Sequence, residues 1–256
     1  MKVALAVHRV SPDLSRNLET IISMTREAAD GGADLIVFAE MALTGFILTD
    51  DPAHDLPLGQ PIPGPATETL ALLAREWQIW IALGLVEYER GCLYDTAVLL
   101  SPEGKIGLKY QRISPYWHGR LAEPSIYQQG SLIPVAHTPF GSGVFLICGD
   151  LFDDTTIAQV RDLRPNFVLL PFARSFDSDL ADRQHWEREE QFRYAERVRM
   201  MGVTTLMVNY LADQPGLGDC FGGAMVVAPT GAILARLPLS CPGLLMASLQ
   251  QMYAPF

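Results

Sequence analysis

Near-continuous apolar runs recur along this chain and limit its fold more than any other feature. The clearest is Ala33-Asp34-Leu35-Ile36-Val37-Phe38-Ala39-Glu40, and runs at 79–86, 144–147, 166–171 and 203–209 repeat the pattern. A strand with one wet face alternates apolar with polar residues, so unbroken runs predict strands covered on both faces. Amphipathic stretches separate them. Leu18, Ile21, Ile22, Ala28 and Ala29 recur at helical spacing, between the helix-starting Ser11-Pro12-Asp13-Leu14-Ser15 and a glycine stop at Gly31-Gly32. A second helix is predicted through Leu70, Leu72, Leu73 and Trp77, a third from Thr155 to Leu163, and a long charged one from about Asp179 to Met201. Met1 to Val7 reads as a first strand. Val98-Leu99-Leu100 and Ile106-Gly107-Leu108 flank the turn chemistry of Ser101-Pro102-Glu103-Gly104 and predict a hairpin, with short strands following near 224–228, 232–235 and 243–248. Strands alternating with helices, plus some antiparallel pairing, make an α/β architecture. No linker interrupts the series, so the 256 residues are read as one domain, 1–256.

Charge and cysteine usage exclude several classes. A formal net charge of -10 repels phosphate backbones, and the basic residues are scattered, so nucleic acid is not an expected partner. No apolar run reaches the length of a membrane span, and the N-terminal run lacks a cleavage pattern; a cytoplasmic protein is the expectation. Cys92, Cys148, Cys220 and Cys241 lie far apart without C-x-x-C spacing, which predicts reduced thiols. His185 and Glu189 share a helix face, yet no third ligand is placed near them, so a solvated face is the simpler reading. Gly104, Gly216-Leu217-Gly218 and Gly222-Gly223 lack the strand-turn-helix setting of a phosphate loop and are assigned to turns.

Two strand ends carry reactive side chains. Val144-Phe145-Leu146-Ile147 stops at Cys148-Gly149-Asp150, which would hold a thiol on a sharp turn, the mechanical logic of a nucleophile elbow. Local sequence alone favours inert packing for Cys148, since free cysteines are so often buried. Glu40 ends another run, either as a solvated loop charge or as a general base whose acidity its apolar neighbours would weaken. The segment from Ser114 to Pro134 is long for an irregular connection; Trp117 and His118 in it are candidates for substrate contact, with packing on their own domain the commoner case.

Taken in order, these motifs resemble the nitrilase, or carbon-nitrogen hydrolase, superfamily over essentially the whole chain. Gly32 through Glu40 followed by Leu43-Thr44-Gly45-Phe46 is similar to the family's glutamate segment, with Ala39 where proline is usual. Gly143 through Ile147 with Cys148-Gly149-Asp150 is similar to its nucleophile segment, with Gly149 where an aromatic or small residue often sits. Trp186-Glu187, Asn209 and Gly222 through Gly231 agree with later landmarks. The resemblance implies a four-layer α-β-β-α sandwich and a glutamate, lysine and cysteine triad. Here the chain departs. Tyr110-Gln111-Arg112-Ile113-Ser114-Pro115 falls on the lysine segment and puts Arg112 in the cation position. Lys109, an odd offset away on a strand, would point to the opposite face. Phe152-Asp153-Asp154-Thr155 replaces the usual Phe-Pro-Glu, and Met200-Met201 stands where Glu-Asn is frequent. Glu123 matches the spacing of the family's supporting carboxylate; without that match it would read as a solvated loop charge.

The expected site is therefore Glu40, Arg112, Cys148 and Glu123, acting on a small amide or N-carbamoyl substrate, less readily a nitrile, through a cysteine acyl-enzyme. The resemblance implies no metal or organic cofactor, and a homodimer or higher homo-oligomer. Two other readings stay open at this point. One is a catalytically impaired binding or regulatory protein, because arginine will not lend a proton as lysine does. The other is an acyltransferase in which an amine captures the acyl-enzyme. No motif places any of His8, His54, His118, His137 or His185 beside Cys148, which weighs against a Cys-His hydrolase.

Overall fold

The structure, a computed structural model, describes residues 1–175, 185–213 and 220–249. The described residues form fourteen strands: β1 (Lys2–Val7), β2 (Arg9–Val10), β3 (Leu35–Val37), β4 (Trp80–Glu89), β5 (Cys92–Leu100), β6 (Ile106–Gln111), β7 (Ala136–Thr138), β8 (Gly141–Phe145), β9 (Phe167–Phe172), β10 (Thr204–Asn209), β11 (Leu211–Ala212), β12 (Ala224–Val227), β13 (Ile233–Leu237) and β14 (Gly243–Ser248). The main helices are α1 (Leu14–Asp30), α2 (Pro65–Trp77), α3 (Asp154–Leu163) and α4 (Gln191–Met201), the last preceded by a π turn, Trp186–Glu190. The predicted start of that last helix, 179 to 184, and the Gly216-Leu217-Gly218 turn lie outside the described residues.

Two six-stranded sheets form, ordered β14-β1-β3-β4-β5-β6 and β13-β12-β10-β9-β8-β7, with β2 and β11 as a small parallel pair. Each sheet has a parallel centre, β1-β3-β4 in one and β8-β9-β10 in the other, flanked by antiparallel strands. The period of two decides which layer each residue enters. Val3, Leu5 and Val7 of β1 join a core shared with Val144, Leu206 and Val208 of the second sheet. Ala4 and Ala6, between them, pack instead with Ile21 and Ala28 of α1 and Leu70 and Ala74 of α2. Ile157 of α3 and Val198 and Met201 of α4 cover the second sheet's outer face. The four layers are therefore α-β-β-α, as the resemblance implied, and unbroken apolar runs are what both-face burial requires. No described helix is long and apolar enough to cross a membrane.

The irregular 114–134 segment builds a small core of its own. Trp117 is fully buried with Met41, Val86, Leu93 and Tyr127, its Nε1–H donating to Gln128 O at 3.2 Å, and His118 packs edge-on against it. The packing reading holds for Trp117, and neither residue lines the cleft described below.

Candidate active site

Glu40 is delivered by the end of β3. The backbone runs on beside β4, with Phe38 N–H donating to Ala82 O at 2.8 Å and Gly84 N–H to Ala39 O at 3.1 Å. Glycine is needed at 84 because a Cβ there would lie 2.7 Å from Glu40 Cα and from Met41 N. Met41 turns the chain with φ 49°, and buried side chains fasten the loop that follows. Asn17 Nδ2 donates to Leu43 O at 3.0 Å, and Val86 N–H donates to Thr44 Oγ at 3.1 Å. His8 Nε2 lies 3.2 Å from Ala42 O; burial pushes this imidazole down to about 4, so the neutral ring donates that bond.

Arg112 follows β6 and continues its ladder, its N–H donating to Asp95 O of β5 at 2.8 Å. The guanidinium is buried. Nη1 donates to Glu40 Oε1 at 2.9 Å and towards Asp95 Oδ2 at 3.4 Å, Nε to Ser114 Oγ at 2.8 Å, and Nη2 to Pro115 O at 3.4 Å. One buried cation thus faces two fully buried carboxyl groups. Were both ionised, the cluster would carry an excess negative charge away from water, so the pair keeps at least one proton between them. Asp95 is its host. Burial, then the charge of Glu40, pushes Asp95 well above the usual carboxylate range. Burial, then Cys148, pushes Glu40 up to about 8, against the opposing pull of Arg112 and of a hydrogen bond with Asp95. Burial works against the Arg112 charge, but Glu40, Cys148, Asp95 and Asp150 outweigh it and hold the guanidinium protonated.

Cys148 comes from the other sheet. Leu146 and Ile147 extend the run of β8, and Cys148 then adopts φ 46° as the chain enters a tight turn, Cys148–Phe152. Left-handed backbone in a residue with a side chain costs about 1–3 kcal/mol, and such strain concentrates at functional positions. Asp150 holds the turn in place, accepting from Ile147 N–H at 2.8 Å, Ser114 N–H at 2.7 Å and Tyr110 OH at 2.7 Å. The last two partners belong to the first sheet's edge. Across that junction the thiol comes near enough to Glu40 to weaken its acidity, and Cys148 Sγ lies 3.9 Å from Ala173 O.

Cys148 opens on a cleft of about 260 Å³ whose walls include Arg174, Glu190, Arg193 and Tyr194. Glu190 accepts from Arg174 Nη2 at 3.2 Å and from Arg193 Nη1 at 2.7 Å. Asn209 positions Arg174 by accepting from its N–H at 3.1 Å and donating to its carbonyl at 3.0 Å.

The carbon-nitrogen hydrolase family model matches residues 2–255. The chain belongs to that family. It is accordingly a hydrolase of carbon-nitrogen bonds other than peptide bonds. Among curated relatives, it is 28% identical to the deaminated glutathione amidase of Homo sapiens, over 98% of this chain and 77% of that one. It is 26% identical to an aliphatic nitrilase of Sinorhizobium fredii (strain HH103), over 97% of this chain and 86% of that one. Among solved structures, a cysteine-to-alanine variant of the amidase from Nesterenkonia sp. AN1 in complex with butyramide superposes with a TM-score of 0.81, covering 99% of this chain and 92% of that one at 24% identity. Another structure of that amidase, with a TM-score of 0.80 at 24% identity over 97% and 90% of the two chains, carries the acetamide moiety of fluoroacetamide on its active-site cysteine.

Within this hydrolase, Glu40, Arg112 and Cys148 come together, and Glu123 does not. Glu123 is exposed and spends its Oε1 on Ser125, accepting from its N–H at 3.3 Å and its hydroxyl at 3.0 Å. The carboxyl group that stands beside Arg112 with Glu40 is instead Asp95, which no motif indicated. Its signal lay in the strand period: Asp95 is two residues from Ala97, on the same inward face. Lys109 sits apart, with Nζ 2.5 Å from Glu87 Oε1 and 3.4 Å from Glu89 Oε2. His185 Nδ1 is 3.7 Å from Glu189 Oε2, and among the described residues no group of three potential ligands could hold a metal ion. Replacing Glu123 with alanine is expected to shift stability by less than about 0.5 kcal/mol and leave turnover unchanged, as checked by thermal melting and ammonia release.

Proposed function

We propose that this hydrolase is a thiol-dependent amidase acting on small amides or N-carbamoyl compounds through a cysteine acyl-enzyme. One observation carries the reading: a thiol, a carboxyl group of weakened acidity and a fixed guanidinium meet at the ends of strands from two sheets. Glu40 takes the Cys148 proton as sulfur adds to the amide carbon, and returns it to the departing ammonia or amine. Arg112 steadies the developing oxyanion, with the free share of its Nη2 and the backbone N–H groups beside Cys148 as donors, each worth about 3 kcal/mol in comparable sites. Water, deprotonated by Glu40, then opens the thioester and releases the acid. The cysteine adduct in the Nesterenkonia amidase supports the thiol route, and its butyramide complex supports a short acyl group.

Ammonia release from short aliphatic amides, dicarboxylate monoamides and N-carbamoyl amino acids, with intact mass recorded in parallel, tests this. Turnover with an acyl adduct on Cys148 is expected. Saturable binding with neither turnover nor adduct would mark a binding protein on this scaffold, and transfer to an added amine would mark an acyltransferase.

Acidity adds a second expectation. Glu40 must be ionised to accept the thiol proton, so kcat/KM is expected to rise with pH through about 8. Stability runs the other way. A carboxyl group raised from 4.5 to about 8 on folding favours the native state fully below 4.5, and that contribution disappears as pH climbs through about 8. Pairing pH-rate profiles with thermal midpoints will reveal the opposed slopes. Parallel slopes would remove Glu40 from the role of base.

A further inference from the structure

Gly149 follows the nucleophile, yet its backbone lies outside the left-handed region and does not require glycine. Space is what requires it. A Cβ at 149 would fall 2.6 Å from Arg112 Nη2 and 2.9 Å from Ser114 Oγ, inside the 3.0 Å limit that Cβ atoms respect. Neither neighbour is free to retreat. The guanidinium, 6% exposed, is held by Glu40 and Asp95 on one side and by Ser114 on the other. Ser114 is itself fixed by its N–H bond to Asp150 at 2.7 Å. Arginine, standing where the resemblance implies lysine, and the glycine after the cysteine are therefore immediate neighbours.

We propose that Gly149 is a positioning residue, and that its missing side chain makes the room that lets an arginine serve as the site cation. A guanidinium is planar and presents its donors in a fixed fork, so it needs clearance beside the plane where a slender ammonium needs none. What the cation does in catalysis rests on the amidase reading. The spatial coupling of residues 112 and 149 does not.

Four proteins decide it: wild type, Gly149→Ala, Arg112→Lys and the double variant. The rate at which iodoacetamide alkylates Cys148 is followed against pH by the mass of the Cys148 peptide, and thermal midpoints are recorded for all four. Gly149→Ala alone is expected to slow alkylation at least about 10-fold, and to move its pH midpoint upward as the guanidinium leaves Glu40. With Arg112→Lys added, the rate is expected to return to within about 3-fold of Arg112→Lys alone, the signature of coupled neighbours. An equal cost of Gly149→Ala in both backgrounds, or no cost in the arginine background, overturns the proposal. If wild-type Cys148 alkylates no faster than an ordinary thiol, the amidase reading fails, and the melting cycle still decides the coupling. There, Gly149→Ala should lower the midpoint by several degrees with arginine at 112 and by about 1 °C or less with lysine.

Discussion

Arg112→Leu is expected to cost this hydrolase about 3–5 kcal/mol of stability and about 10²–10³ in turnover at the same time. The first figure is the usual penalty for breaking a buried ion pair and leaving the other charge behind. The second is the usual cost of losing an oxyanion donor. Leucine removes the cation that Glu40 and Asp95 share and puts nothing in its place to accept from. The destabilisation should depend on pH, with a definite sign. At low pH both carboxyl groups take protons and can bond one another, so the loss is small. As pH rises past about 8, Glu40 must ionise without a counter-charge, and the loss grows. Denaturant unfolding at pH 5 and pH 9, beside ammonia release, measures both effects. Equal stability at pH 9 would show that Arg112 does not neutralise the pair.

Cys148→Ala and Cys148→Gly should both lose at least about 10⁴ in turnover, since removal of a nucleophile leaves only binding and oxyanion stabilisation. They should differ in stability. At φ 46° a Cβ is unfavourable, and glycine adopts this geometry freely. The glycine variant is thus expected to be about 1 kcal/mol more stable than the alanine variant, despite its more flexible unfolded chain. Chemical denaturation separates the two, because deletion of sulfur is common to both. No difference, or a preference for alanine, would show that the turn at Cys148 stores no strain. The expected order means that the chain holds its thiol in a backbone geometry it would otherwise leave to glycine.

Much of this was legible along the chain, and the limits have physical causes. Unbroken apolar runs announced strands buried on both faces, and the period of two put Leu108, Tyr110 and Arg112 on one face and Lys109 on the other. That alternation also carried Asp95, but a lone aspartate in a strand gives no hint that its face lies inside a sandwich. Glu123 shows the opposite failure. Its spacing matched a family pattern, yet spacing along a loop does not say whether the loop folds back, and 114–134 packs around Trp117 with Glu123 left outside. The partners of Asp150 were equally hidden, since they stand 36 and 40 positions away on the other sheet. Pairing of β14 with β1, which joins the two ends of the described chain, is likewise a contact that no local pattern encodes.

Asp150 has one more implication. Glu40 and Arg112 ride on one sheet and Cys148 on the other, and this single carboxylate clasps the turn after Cys148 to Ser114 and Tyr110. The reactive geometry is therefore a gauge of how far one sheet has slid over its neighbour. A slip of an ångström would leave every strand paired and every helix wound, yet draw sulfur away from its base. Heating should silence the enzyme at a lower temperature than it melts the fold, and the interval between the two events measures the grip of that clasp.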